Sequence, residues 1–217
     1  MPHIQQLSPH VADLIAAGEV VERPASVIKE LVENAIDAGA SAVVVELQSG
    51  GMALIRVTDN GCGIAPQELP TAFLRHATSK LRAPEDLAAI GTLGFRGEAL
   101  AAISAVSRLD VFSRQRGSRT GASLRLEGGV PGVVEEAGCP EGTTIAVKEL
   151  FYNTPARLKF MKADSAEAAA AAGVIAQIAL SRPEVSLRYI RDGKEELHTP
   201  GDGKLLSAIY AARGRDF

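Results

Sequence analysis

Glu30, Asn34 and Asp37 stand four and three residues apart in PASVIKELVENAIDA, the segment from Pro24 to Ala38. On a helix that spacing lines them along one face, beside a stripe formed by Val27, Ile28, Leu31, Val32, Ala35 and Ile36. A carboxylate and an amide so placed can face a common ligand, although a solvated polar face has the same pattern. The segment TDNGCGI delivers Asp59 and Asn60 from a strand end into a loop whose Gly61 and Gly63 permit unusual dihedrals and close backbone approach to a ligand. An aspartate there can accept an amine hydrogen or cap its own DNG turn. A second glycine-rich segment, Gly91 to Leu100, sets Gly94, Arg96, Gly97 and Glu98 ahead of an apolar helical run that begins with Ala99 and Leu100. Free N–H groups at such a helix start bind phosphate well, and a flexible helix entry is the plainer alternative.

Other chemistry has no sequence basis. There is no GxxxxGK[ST] loop, no strand-linked GxGxxG, no GxSxG and no HExxH. His3, His10, His76 and His198 are scattered, and Cys62 reads as a small filler of the glycine loop.

The elements that must position these residues follow from turn chemistry and periodicity. Pro24 suits the first turn of a helix and Gly39 its stop. SAVVVELQ and MALIRVTD, joined through Ser49, Gly50 and Gly51, predict an antiparallel hairpin. SRLDVFSR, GASLRLEG, GVVEEAG and GTTIAVKEL predict short strands in a meander, divided by glycines. A helix from about Ser165 to Leu180 follows, with Ala168 to Ala172 as helix filler. SLRYIRDGKEELHT predicts a hairpin turning at Asp192-Gly193, and KLLSAIYAAR begins another helix. Helices and strands mix without strict alternation, so the expected class is α+β: a two-layer α/β sandwich with a mainly antiparallel mixed sheet and helices on one face.

Composition narrows the partners. The 217 residues, 46% of them hydrophobic, suffice for one domain with a sizeable core, and the net charge of −3 does not suggest a protein that coats nucleic acid, since such domains are usually strongly basic. Any DNA contact must be a local patch, for which Arg157, Lys159 and Lys162 are the candidate. Cys62 and Cys139 make neither a disulfide framework nor a zinc set. No basic-then-apolar leader or long apolar run occurs, and the expectation is a cytoplasmic protein without a membrane partner.

The segments ELVENAIDAGA, DNGCGI, GFRGEAL and GTTIAV occur in the order of the four nucleotide-binding motifs shared by gyrase B subunits, histidine kinases, heat-shock chaperones and MutL. The fuller wording of IAAGEVVERPASVIKELVENAIDAGA, RHATSK, LGFRGEALAAIS and LFYNTPARLKF resembles the MutL family of DNA mismatch-repair proteins, from about Ile4 to the end. The resemblance implies a single ATP-binding domain over residues 1–217. Residues 1–16 would form an N-terminal arm, and residues 205–217 the start of a connection to a transducer domain. ATP would lie between helices and lid. Glu30 would be the general base that polarises the attacking water, and Asn34 would coordinate Mg²⁺ bridging the phosphates. Asp59 would bind the adenine amino group, with Thr143 completing that contact through water and Gly61 and Gly63 shaping the pocket. Thr78, Ser79 and Lys80, with Gly94, Arg96, Gly97, Glu98, Ala99 and Leu100, fall on the nucleotide-contacting lid segments. Asn153 to Arg157 are a family marker without an assigned role.

By the same resemblance, Mg²⁺-dependent ATP binding and hydrolysis drive dimer closure and couple mismatch recognition by a MutS-type protein to a downstream nuclease or helicase. The alternative is an ATP-gated clamp on DNA and protein, with hydrolysis only as a reset. DNA binding would be weak and non-specific. The full-length protein would be a homodimer. These 217 residues alone would be a monomer with impaired hydrolysis, because the family draws a γ-phosphate lysine from the transducer domain.

Overall fold

The computed structural model describes residues 17–18, 20–77 and 98–214. Helix α1 spans Pro24–Asp37, with Pro24 at its first turn and Arg23 in extended conformation ahead of it. Strands β1 (Ala42–Gln48) and β2 (Leu54–Asp59) follow, joined through a single 3-10 turn at Ser49–Gly51. A short helix α2 (Leu69–Ala72) and a helix α3 (Ala99–Ala105) precede β3 (Arg108–Arg114) and β4 (Gly121–Glu127). Two short edge strands, β5 (Val130–Pro131) and β6 (Glu135–Ala137), lead to β7 (Gly142–Lys148). A single turn α4 (Pro155–Leu158) and the long helix α5 (Asp164–Ser181) come next. The described chain ends with the hairpin β8 (Ser186–Arg191) and β9 (Lys194–His198) and helix α6 (Leu205–Arg213).

Among the described residues the strands form one nine-stranded sheet in the order β5-β4-β3-β7-β2-β1-β8-β9, with β6 also paired to β4. Every pairing is antiparallel except β1 with β8. Local turn signals announce neither that parallel pair nor the place of β7, which lies between β3 and β2 instead of continuing the expected meander beside β6. Helix α5 carries the chain from the middle of the sheet to the far side of β1, and a connection of that length is what parallel neighbours require.

Alternation along the strands separates two faces. Val43, Val45, Leu47, Ile55, Val57, Leu109, Val111, Leu124, Ile145, Val147 and Leu187 are buried on one face. The other face carries polar cross-strand pairs, among them Glu46 with Arg56 at 2.5 Å and Asp110 with Lys148. Helix α1 packs on β1, β2 and α5, and buries Ala25, Val27, Ile28, Leu31, Val32 and Ala35. Each large aliphatic side chain buried there contributes about 1.5–3 kcal/mol, which outweighs the absence of a side-chain cap at the helix start. Ala168 and Ala171, expected as filler, are instead core residues: with Ile175, Ile178 and Ala179 they form the buried stripe of α5. No helix among the described residues is long and apolar enough to cross a membrane.

Candidate functional site

Helix α1 presents Glu30, Asn34 and Asp37 half-buried, beside its core stripe. Lys29 Nζ lies 3.3 Å from Glu33 and 4.0 Å from Glu30, so positive charge adjoins the start of this face. The C-terminal end of α1 also anchors the glycine loop. The Cys62 N–H donates to the Ala38 carbonyl at 2.9 Å, and the Cys62 carbonyl accepts from the Arg116 N–H at 3.1 Å. Cys62 is exposed and is not a buried filler. A Cβ on Gly61 would sit 2.9 Å from the Ala38 carbonyl oxygen. At Gly63, φ is +72° and a Cβ would run into the Arg114 carbonyl, so both the conformation and the space demand glycine.

Asp59 ends β2 inside this assembly. Its Oδ1 accepts from the Gly61 N–H at 2.8 Å and from the Thr143 N–H at 3.3 Å, which leaves Oδ2 outside this pair of bonds. The carboxylate therefore caps its own loop, as one reading of the DNG turn has it, and it also accepts a backbone N–H from β7. Burial pushes the Asp59 carboxyl above its ordinary range, against the opposing effect of the two N–H donors. Asn60 points elsewhere. Its Oδ1 accepts from the Ser41 and Ala42 N–H groups, both at 2.9 Å, and its Nδ2 donates to Ser41 Oγ, so it fastens the loop to the start of β1.

Thr58 lies opposite Thr144, and Thr143 lies opposite Ser113, so Asp59, Thr143 and Ser113 form one row across β2, β7 and β3. Ser113 Oγ is 2.9 Å from Thr143 Oγ1 and accepts from the Ile64 N–H at 2.8 Å. Sequence reasoning missed Ser113, because a serine inside SRLDVFSR carries no signal of its own. Only its register against Thr143 sets it apart.

Of the lid residues, Thr78, Ser79, Lys80, Gly94, Arg96 and Gly97 lie outside the described residues. Glu98 stands just before α3, its carbonyl accepting the Ala102 N–H at 2.8 Å and its Oε1 3.5 Å from His76 Nδ1. Ala99 and Leu100 open the helix, both half-buried.

The FYNTPAR segment acquires a structural role. The Phe151 N–H donates to the Val106 carbonyl at 2.7 Å, and Asn153 Nδ2 donates to the Ala105 carbonyl at 2.8 Å, pinning the end of α3. Arg157 Nη1 donates to the Val21 carbonyl at 3.2 Å, and Nη2 to the Gly18 carbonyl. Just beyond, Arg23 meets the fully buried Glu167 at 3.2 Å. The segment that leads into α1 is thus held by residues from the second half of the chain. The expected basic cluster breaks up accordingly: Arg157 turns inward, while Lys159 and Lys162 remain exposed.

A metal held by protein alone would need several ligands, and no group of three or more His, Cys, Asp or Glu side chains among the described residues can supply them. One half-buried amide oxygen, that of Asn34, fits a magnesium ion that keeps several waters and takes its remaining ligands from phosphates.

The family described as histidine kinase-, DNA gyrase B-, and HSP90-like ATPase matches residues 22–129. A DNA mismatch repair protein MutL of Agathobacter rectalis is 49% identical over 216 residues, covering 100% of this chain and 33% of the relative. That of Pelotomaculum thermopropionicum is 50% identical over 215 residues, covering 99% of this chain and 36% of the relative. The chain thus spans about a third of the length of these curated relatives. Among solved structures, the Aquifex aeolicus MutL ATPase domain complexed with ADP is 32% identical with a TM-score of 0.74, covering 89% of this chain and 69% of that one. The N-terminal domain of a DNA repair protein superposes with a TM-score of 0.78 at 26% identity, covering 94% of this chain and 60% of that one. With the ordered motifs and the mainly antiparallel sheet, these likenesses show that the chain belongs to the MutL family of DNA mismatch-repair proteins and corresponds to the larger part of its ATPase domain.

Proposed function

We propose that this domain binds ATP together with Mg²⁺ and hydrolyses it, and that the nucleotide cycle closes a dimer that couples mismatch recognition by a MutS-type protein to later repair factors. The observation that carries the reading is the Asp59 carboxylate, held on Oδ1 by the Gly61 and Thr143 N–H groups beside a glycine loop docked on the end of α1. Fixed in this way, Asp59 offers Oδ2 to the adenine amino group, and Thr143 supports that contact through water. Asn34 would hold the magnesium ion, which when bound neutralises phosphate charge as the terminal bond breaks. Glu30, one turn earlier on the same face, takes a proton from the attacking water. Glu98, Ala99 and Leu100, with Thr78, Ser79, Lys80, Gly94, Arg96 and Gly97, supply the lid, whose backbone N–H groups hold the phosphates.

Calorimetry with ATP, with and without Mg²⁺, tests binding, and phosphate release from a protein extended through the transducer domain tests turnover. Glu30→Ala is expected to keep ATP affinity and to slow phosphate release by about 10²–10⁴-fold. Absence of ATP binding removes the nucleotide reading, and unchanged release in Glu30→Ala removes Glu30 from the chemistry.

A further inference from the structure

Ser113 is 1% exposed, yet its hydroxyl has three polar neighbours. The Ile64 N–H donates to Oγ at 2.8 Å, the Gly142 carbonyl lies at 3.1 Å, and Thr143 Oγ1 lies at 2.9 Å. A serine hydroxyl has one proton, and a carbonyl can only accept. The Gly142 carbonyl therefore takes the Ser113 proton, and the contact between the two hydroxyls is donated by Thr143. Its own proton turned inward, Thr143 keeps only lone pairs for anything else that meets its oxygen. Thr143 is half-buried whereas Ser113 is closed off, and the Thr143 N–H is already bonded to Asp59 Oδ1. An ionised Asp59 is likewise acceptor-only. A water that bridges Asp59 and Thr143 must give both protons to them, so it too turns a lone pair outward.

We propose that Ser113 is a specificity-determining positioning residue: it fixes the Thr143 hydroxyl as an acceptor, so that the row of Asp59 and Thr143 accepts an amino group at C6 of a purine and rejects a carbonyl there. The inference rests on the nucleotide-binding reading and extends it to a residue that does not itself touch the base. Without the Ser113 oxygen, the Thr143 proton loses its inward acceptor and can rotate to face the base, where it suits a carbonyl. The packing around Gly142 keeps the row close, since its φ of +105° and a Cβ that would collide with the Asp59 carbonyl admit no larger residue.

ATP and inosine triphosphate, which carries a carbonyl at C6, separate the possibilities. Their dissociation constants are measured by calorimetry, at one Mg²⁺ concentration, for the wild-type protein, Ser113→Ala, Thr143→Val and the double variant. The wild type is expected to prefer ATP, and Ser113→Ala to narrow that preference by about tenfold, the worth of about one hydrogen bond. In the Thr143→Val background, Ser113→Ala is expected to leave the ratio of the two constants unchanged, because the effect runs through the Thr143 hydroxyl. Ser113→Cys, closer in volume and a weaker hydrogen-bonding group, gives the same readout if the alanine variant unfolds. Equal losses for both nucleotides at an unchanged ratio would show that Ser113 only packs the strand, and would overturn the proposal. Failure of the wild type to bind either nucleotide would overturn the underlying nucleotide reading instead.

Discussion

The Thr143 N–H lies 3.3 Å from Asp59 Oδ1 and so joins residues 84 positions apart in sequence. Because Oδ1 also accepts the Gly61 N–H at 2.8 Å, the carboxylate cannot swing away from the sheet end without leaving both donors unpaired. Asp59→Ala is therefore expected to weaken ATP binding by about 1–3 kcal/mol through loss of the amine acceptor. GTP, without an amine at that position, should lose less. Calorimetry with both nucleotides checks this, and equal losses would reduce Asp59 to a loop cap.

The raised pKa of Asp59, caused first by burial and opposed by the Gly61 and Thr143 N–H bonds, makes stability depend on pH. A carboxyl whose folded pKa lies above its unfolded one stabilises the fold fully below the unfolded value, and that contribution disappears as pH rises through the folded value. Asp59→Asn stays neutral throughout. Its melting temperature is expected to match wild type at acid pH, to exceed it increasingly as pH rises through the window above the ordinary aspartate range, and then to hold a constant lead. A lead that shrinks with rising pH would contradict this. ATP affinity of the wild type should fall on acidification through the same window, since the amine donor favours the ionised carboxylate.

Arg157 holds the carbonyls of Gly18 and Val21 and lies 6.0 Å over the Phe151 ring. Arg157→Met keeps an apolar stem and removes the donors. It is expected to cost about 2 kcal/mol in urea denaturation, because two buried carbonyls lose a charged partner. Hydrogen exchange at the Val21 amide, which bonds the Ala17 carbonyl at 2.8 Å, should accelerate. Charge reversal at the exposed Lys159 and Lys162 should stay within about 0.5 kcal/mol. A large loss there, or none at Arg157, would contradict the inward role of the guanidinium.

Tyr189 is 1% exposed, and its hydroxyl finds no hydrogen-bond partner among the described residues. Burial is the main reason that its pKa is pushed up to about 12. Tyr189→Phe removes an unsatisfied buried oxygen while conserving the ring, and it is expected to stabilise the fold by about 1 kcal/mol. Thermal unfolding at neutral pH measures the change, and destabilisation would mean that the hydroxyl has an unseen partner.

Periodicity and turn chemistry carried most of the secondary structure. The spacing of Val27, Ile28, Leu31 and Val32 predicts α1, and Asp192-Gly193 predicts the β8–β9 turn, because both signals lie within a few residues. Short elements such as α2 and α4 escaped, since a single turn contains too few residues to show a period. For the same reason Glu30, Asn34 and Asp59 were legible as candidates: their types and their places on a helix face or strand end are local facts.

Long-range pairing was not legible. The parallel match of β1 with β8 joins residues far apart in the chain, and it accompanies the packing of α5 against α1. Register alone gives Ser113 and Thr143 a shared hydrogen bond, and compact packing alone turns Arg157 away from solvent to the carbonyls before α1. By itself the sequence determined which residues could do chemistry, which elements bear them and, through its ordered motifs, the family. Tertiary structure alone decided which groups meet, because a hydroxyl or guanidinium has no partner until folding brings distant backbone within about 3 Å of it.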